Sequence, residues 1–251
     1  MSALLEVSRV NKHFGGLHAV RNVSFSIAPA EIVGILGPNG AGKTTLYNLL
    51  TGFIPPDSGS ILFNGRELRG LAPYRIAGLG ISRTFQLCRP FVGMTVFENV
   101  IVGGLGARGS GGAGLDARAL ALLGQVGLAG KERLRVEALS YGDQRRLEIA
   151  RALAAKPALL LLDEPFAGLG SGEIADLSAL IRSVHADQGL TVMLIEHKLH
   201  EFMRLVGRVI ALDFGEVIAE GAPEDIVRHP AVIEAYIGRG DDQAAEQADA
   251  A

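Results

Sequence analysis

Four short stretches of this chain carry residue types that can handle phosphate. In the first, Gly37, Gly42, Lys43 and Thr44 have the spacing of a phosphate-binding loop: glycine, four residues, glycine, lysine, hydroxyl. Pro38, Asn39, Gly40, Ala41 and Thr45 complete the same cradle. The glycines let the backbone wrap a phosphate, with N–H groups pointing inward beside the positive end of a helix. Lys43 then reaches the β- and γ-phosphates of a nucleotide, and the Thr44 hydroxyl ligates Mg²⁺. The second stretch is Asp163-Glu164, where an apolar run ends. Two carboxylates in that position are costly unless they have a task. In a phosphate-loop nucleotide hydrolase Asp163 holds Mg²⁺ through water beside Thr44, and Glu164 orients or deprotonates the attacking water. The third is His197, just past another apolar run, at the sheet edge where ligands of α/β proteins bind. The fourth is Gln86 at a strand end, from which an amide can hold a metal or a water, although exposure to solvent is its ordinary state. Two further positions stay open. Ser140 reads equally as a helix cap and as an anion site. Phe14, in the turn His13-Phe14-Gly15-Gly16, reads as a turn-flanking core residue or as a ring that stacks on a purine.

These residues need strands and helices to hold them. Ile32 to Leu36 is the short apolar run of a buried strand, followed after the glycines by a helix with Leu46, Leu49 and Leu50 on one side. Ala158 to Leu162 carries no polar residue and reads as a central parallel strand buried on both faces, and Leu190 to Ile195 reads the same way. Upstream, Val23, Phe25 and Ile27 alternate with Ser24 and Ser26, the period of an antiparallel sheet with one buried face. Strand Ser60–Phe63 ends in an Asn64-Gly65 turn. Helices are expected over 73–80, over Ala117–Leu128 with Leu120, Leu123 and Val126 on one face, and from Ser140 through Leu153. Others are expected around Ile174–Val184, over Leu199, Phe202, Met203 and Val206, and over Pro223–Tyr236, after a hairpin at Gly215. The glycine-dominated 103–114 reads as a mobile surface loop. The residues from 241 onward read as a disordered acidic tail.

Composition narrows the choices. With 251 residues, 48% hydrophobic and 20% charged, the chain can bury a substantial core, as one large α/β domain or two small ones. A net charge of −3 gives no reason to expect nucleic acid held by bulk charge. The single cysteine, Cys88, excludes an internal disulfide and reads as a small buried apolar residue in a reducing compartment. Glu6 and Arg9 interrupt the apolar start too early for a signal peptide, and no apolar segment reaches the length of a membrane span.

Taken as a set, these motifs resemble the ATP-binding subunit of ATP-binding-cassette (ABC) transporters, over residues 4 to 238. The phosphate loop alone would say only that a nucleotide binds. The stretch Leu139-Ser140-Tyr141-Gly142-Asp143-Gln144, before the strand that ends in Asp163-Glu164, resembles the family's signature sequence. Gln86 matches its glutamine loop, His197 its switch histidine, and Phe14 its adenine-stacking aromatic. The resemblance implies an α/β ATPase with a mainly parallel sheet core, an N-terminal antiparallel β subdomain, and an inserted helical subdomain over about 87–155 within a single domain spanning 1–240. It implies two such subunits packed head to tail around two ATP molecules with Mg²⁺. Each site then takes Lys43, Thr44, Gln86, Asp163, Glu164 and His197 from one chain and Ser140 and Gly142 from the other. The metal set is Thr44, Gln86 and Asp163. It also implies membrane permeases driven by closure of the ATPase dimer, and a groove in the helical subdomain, hinged at Gln86, that receives a short permease helix. The subunit then sits on the cytoplasmic face of the inner membrane, with a periplasmic solute-binding protein as indirect partner and no nucleic acid.

Within the family the wording of 139–151, Leu-Ile-Glu-His at 194–197 and Ile-Glu-Ala-Tyr-Ile-Gly at 233–238 is most similar to the ATPases of branched-chain amino acid uptake. The lipopolysaccharide-export group shares the signature tyrosine and Glu-Pro-Phe-Ala-Gly, here 164–168, but usually has Asp-His at the switch. Gly170 stands where the family normally has Asp or Asn, which implies weaker subunit coupling or slower hydrolysis, and the insert at 103–116 is shorter than is usual in the uptake group. The alternatives to an importer are an export ATPase of the lipopolysaccharide type, a soluble ABC ATPase without a permease, and an ordinary phosphate-loop kinase or GTPase. The last should lack both the Leu-Ser-Tyr-Gly helix start and the His197 strand end.

Overall fold

The computed structural model describes residues 3–105 and 114–237. Its centre is a six-stranded sheet in the order β10-β9-β3-β8-β7-β6. The strands are β3 (Ile32–Leu36), β6 (Ile81–Arg83), β7 (Leu159–Asp163), β8 (Thr191–Ile195), β9 (Arg208–Asp213) and β10 (Glu216–Gly221). All neighbours are parallel except the hairpin of β9 with β10. The two unbroken apolar runs are therefore central strands, and every residue of β3, β7 and β8 is buried. Their alternate residues face different cores. Leu160, Leu162, Val192 and Leu194 join a cluster with the helices, whereas Leu159, Leu161, Met193 and Ile195 join a cluster with the second sheet.

That second sheet is antiparallel, in the order β2-β1-β4-β5, from β1 (Leu5–Phe14), β2 (Leu17–Ile27), β4 (Ser58–Phe63) and β5 (Arg66–Glu67). Val23, Phe25 and Ile27 are buried, as their alternation predicts. Asn64 and Gly65, both with positive φ (50° and 71°), close the β4–β5 hairpin in the geometry that suits an Asn-Gly turn. Helix α1 (Lys43–Leu50) lies between the two sheets and buries Leu46, Leu49 and Leu50. Tyr47 of α1 is fully buried as well, and its hydroxyl donates to the carbonyls of Met193 (2.8 Å) and Leu162 (3.3 Å), reaching both adjacent strands. Burial raises the Tyr47 hydroxyl well above the usual tyrosine range, with the Asp163 charge acting in the same direction.

Helix α2 (Pro73–Leu79) packs Ile76 into the same core as α1, and the remaining helices cover the other face. They are α3 (Val96–Gly104), α4 (Leu115–Gln125), α5 (Tyr141–Ala154), α6 (Ser171–Gln188), α7 (Leu199–Leu205), α8 (Pro223–Ile226) and α9 (Pro230–Ile237). Thr95 and Glu98 start α3 with a reciprocal capping box. Several expectations need correction. Gly103 and Gly104 end α3 instead of opening a loop, because α3 crosses α5 closely: a Cβ on Gly103 would lie 2.4 Å from the Arg151 carbonyl oxygen. The rest of the glycine-rich stretch and the acidic tail fall outside the described residues. In α4 the buried positions are Ala119, Leu122 and Leu123 while Leu120 is exposed, since packing against α3 and α5 fixes the helix face and Val126 is buried just past its end. Pro223–Tyr236 is mostly helical, as expected, and Pro230 starts the second of its two short helices. Leu199 is exposed on α7, and β6 stops three residues before Gln86. Cys88 is half-buried, not a core residue, and its thiol faces the Glu148 carboxylate at 3.7 Å; burial and that carboxylate push it up to about 11.

One close approach sets the fit of α7 on the sheet. A Cβ on Gly34 of β3 would sit 2.1 Å from Cζ of the buried Phe202. Gly34→Ala is expected to destabilise the chain by about 1–3 kcal/mol through overpacking, and Phe202→Leu in the same chain to recover part of that loss. Denaturant midpoints of the two single variants and the double variant measure it, and an unchanged midpoint for Gly34→Ala would contradict this contact.

Candidate active site

The parallel register brings the ends of β3, β7 and β8 to one edge, with Leu36, Asp163 and Ile195 as terminal residues. A cleft of about 550 Å³ opens above that edge. Of the residues singled out in the sequence, Phe14, Asn39, Gly40, Ala41, Gly42, Lys43, Thr44, Thr45, Gln86, Glu164 and His197 all line it. Its far side is closed by Leu17, His18, Ala19 and Phe214. Phe14 is 47% exposed there, so it is not a core residue, and the Lys12 ammonium lies 5.6 Å from its ring centre.

The phosphate loop has the geometry its glycines predict. Gly42 has φ +97°, and a Cβ there would meet the Ala19 carbonyl oxygen at 2.4 Å, so no other residue fits. Helix α1 begins at Lys43 with no side-chain cap and no acidic residue in its first turn, which leaves its N–H groups and positive pole directed at the cleft. Lys43 is buried, and its ammonium donates to the carbonyls of Gly37 (2.6 Å) and Pro38 (2.9 Å). A cradle of inward N–H groups and a lysine suits a polyphosphate.

Opposite the loop, three of the singled-out residues meet. The Gln86 amide donates to Oε2 of Glu164 at 3.0 Å, and Nε2 of His197 lies 3.0 Å from Oε1 of the same carboxylate. Glu164 itself has φ +48°, a left-handed conformation that is strained for a residue with a Cβ. Its N–H donates to the Ile195 carbonyl, so the backbone turns only after the strand pairing ends. Asp163 is 3% exposed, and its Oδ2 accepts from Nη2 of Arg83 at 2.7 Å. Arg83 also donates to Asn48 Oδ1 (2.6 Å) and lies over the rings of Tyr47 and Phe85.

Ser140 and Gly142 are placed differently. Ser140 caps α5, accepting the Asp143 N–H at 3.1 Å, and neither residue lines this cleft. Gly142 faces Glu173 of α6. Gly170 precedes α6 with an ordinary φ of −75°, and its N–H donates to Glu173 Oε2.

Motif reading missed three residues that organise the site. Arg83 neutralises Asp163. Glu196, buried at the end of β8, accepts N–H groups from Phe166 (2.6 Å), His197 (2.8 Å) and Lys198 (3.1 Å), and so ties the segment after Glu164 to the one carrying His197. Arg145 on α5 holds the main chain at Gln86. A glutamate directly between an apolar strand and a site histidine was a signal available in the sequence, whereas the two arginines lack one.

The profile of the family described as ABC transporter matches residues 20–167, and one described as branched-chain amino acid ATP-binding cassette transporter matches residues 216–242. The chain is 42% identical over 250 residues to the high-affinity branched-chain amino acid transport ATP-binding protein LivG of Escherichia coli K12, covering 94% of this chain and 98% of LivG. It is 40% identical to the corresponding protein BraF of Pseudomonas aeruginosa over the same shares of each chain. Among solved structures, the ADP conformation of the ATP-binding cassette MJ1267 superposes with a TM-score of 0.87 at 30% identity, covering 95% of this chain and 100% of that one. A dimeric post-hydrolysis state of the cassette MJ0796, bound to ADP and Pi, superposes with a TM-score of 0.78 at 28% identity over 87% of this chain and 98% of that one. A phosphate loop facing a strained, doubly held glutamate, on a fold and sequence shared over most of the chain with these proteins, has one reading: the chain belongs to the ABC transporter family as one of its ATP-hydrolysing cassettes.

Proposed function

We propose that the chain is the ATPase subunit of an importer for branched-chain or related amino acids. The observation that carries this reading is its 42% identity, over 94% of its length, to a subunit named for that transport. The match of residues 216–242 to a segment of the same group points the same way.

In this reading Lys43 and the loop N–H groups hold the β- and γ-phosphates of ATP, and Phe14 stacks on the base. Thr44 and Gln86 offer oxygen donors from two sides of the cleft, a donor type that suits Mg²⁺. Asp163, engaged on one oxygen by Arg83, fits a water-mediated position beside them. Bound there, Mg²⁺ neutralises charge on the phosphate oxygens. Glu164 orients a water and takes its proton as the water oxygen bonds to the γ-phosphorus and the bond to ADP breaks. His197 and Gln86 hold the two oxygens of Glu164 in place for this step.

Ser140 and Gly142 act on the ATP of a second subunit packed head to tail. Their absence from the chain's own cleft supports that role, as does the dimeric form of the similar cassette MJ0796. A mainly apolar groove of about 360 Å³ between α2, β6, α3 and α5, bordered by Tyr74, Phe85, Phe91 and Arg151, is the seat for a permease helix. No helix among the described residues is long and apolar enough to cross a membrane, which fits a subunit bound to the cytoplasmic face of the inner membrane through that permease.

Glu164→Gln is expected to keep ATP affinity, lower turnover by about 10²–10⁴-fold, and trap an ATP-bound dimer visible by size-exclusion chromatography. Wild-type turnover would overturn the role given to this carboxylate. Lys43→Ala is expected to abolish ATP binding measured by titration with a fluorescent analogue. Gly170→Asn, which suits the extended backbone and avoids a second negative charge beside Glu173, is expected to stabilise the chain by a few tenths of a kcal/mol, roughly the Gly-to-Asn difference at an N-cap, and to raise turnover. Unchanged turnover would remove Gly170 as a brake. Purification of the tagged subunit from detergent-solubilised native membranes is expected to bring down two hydrophobic permeases and an amino-acid-binding periplasmic protein. Lipopolysaccharide-export components instead would reverse the direction of transport, and soluble chains alone would remove the permease.

A further inference from the structure

Helix α5 carries more than Ser140 at its start. One turn in, Arg145 is 2% exposed and spans two successive carbonyls outside the helix, donating from Nη1 to Phe85 O (3.1 Å) and from Nη2 to Gln86 O (2.6 Å). Nη2 also donates to the Tyr141 hydroxyl at 2.8 Å, with the guanidinium 5.2 Å from that ring's centre. On the next turn Glu148 accepts the Phe85 N–H at 3.1 Å and pairs with Arg145 at 3.4 Å. Three main-chain groups of residues 85–86 thus end on side chains of α5. The side chain of Gln86 in turn ends on Glu164. Tyr141 adds a second tie, because its ring fills the space beside Gly168, where a Cβ would come within 2.8 Å of it. Helix α5 is therefore fastened to the segment before Glu164 in space and to the loop after it in sequence.

We propose that Arg145, steadied by Tyr141, is a positioning residue that latches Gln86 to the first turns of α5, so that a displacement of Ser140 is carried rigidly to the Gln86 amide and to Glu164. The latch rests on the roles given above to Gln86, Glu164 and Ser140. Its chemistry calls for arginine. The planar fork covers two carbonyls and a hydroxyl at once, which a lysine ammonium on a flexible stem does not do with fixed geometry. Tyr141 serves Arg145 in two ways, as hydroxyl acceptor and as a flat face under the cation.

The test uses the full-length chain and the variants Arg145→Lys and Tyr141→Phe. Amide hydrogen exchange across residues 84–88 is measured without nucleotide, and kcat and KM for ATP are measured separately. The latch predicts exchange across 84–88 faster by about tenfold in Arg145→Lys and by a smaller factor in Tyr141→Phe, with protection of the phosphate loop and β7 unchanged. It also predicts a fall in kcat of about tenfold for Arg145→Lys with KM held within about twofold. Unchanged exchange across 84–88, or protection lost evenly over the whole chain, would overturn it; so would faster local exchange with wild-type kcat. If Arg145→Lys fails to fold, Tyr141→Phe, which removes one hydroxyl from a partly exposed ring, decides the matter by the same exchange reading. If the wild-type chain does not hydrolyse ATP, the roles of Gln86 and Glu164 fail, while the exchange result still judges the latch.

Discussion

A parallel strand covered on both faces has only its ends for polar chemistry. In this chain β7 obeys that constraint strictly: four leucines, all buried, then Asp163 and Glu164. The edge at which it ends is shared with β3 and β8, so the phosphate loop, the two carboxylates and His197 converge without any loop having to travel far. The same constraint has a cost. Asp163 is a carboxylate still inside the sheet's edge, and a carboxylate in that position needs a counter-charge. Arg83, on the neighbouring strand β6, supplies it, and Arg83 is held in turn by Asn48 and two aromatic rings. The central sheet fixes the site, and the buried ion pair is what permits the sheet to do so.

Much of this was legible beforehand, for a physical reason. Phosphate recognition by backbone needs glycines at set spacings, strands buried on both faces need unbroken apolar runs, and half-buried strands need alternation. Each need leaves a local trace, which is why residues 37–44, Val23 to Ile27 and Asp163-Glu164 could be read in order. Arg83, Tyr47 and Arg145 leave none. The partners that give them their roles, Asp163, Met193 and Gln86, lie 59 to 146 residues away, and an isolated arginine or tyrosine looks the same whether it faces water or a carbonyl in the core. Leu120 shows the opposite limit. Its spacing from Leu123 suits a buried stripe, but the stripe of a short helix is chosen by the neighbours it packs on, here α3 and α5, and they meet Ala119, Leu122 and Leu123.

Besides the apolar core that they share with the sheet, α5 and the helices around it are tied by arginines that donate to main-chain carbonyls. Arg145 reaches Phe85 and Gln86, Arg151 reaches Arg89, and Arg118 reaches Leu153 within the helices themselves. Apolar packing tolerates sliding, because it is non-directional. Guanidinium forks on carbonyls do not, because they fix distance and angle together. A groove bordered by Arg151 and Phe85 is thus connected to the cleft by parts that keep their registry as they move. In the proposed transporter, that is the quality a connection between permease and ATP site requires.

The left-handed backbone at Glu164 has a consequence for how this protein can change. For a residue with a Cβ that conformation costs about 1–2 kcal/mol, and glycine or asparagine would remove most of the cost. Under the role proposed for Glu164, a chain that lost its carboxylate to either residue would become inactive and, at that position, more robust. Selection or engineering for heat resistance alone would drift toward such chains, so only a simultaneous demand for turnover keeps a glutamate in place. An unusually stable relative with glycine or asparagine after the strand-ending aspartate would be recognisable, from that one position, as a cassette released from hydrolysis.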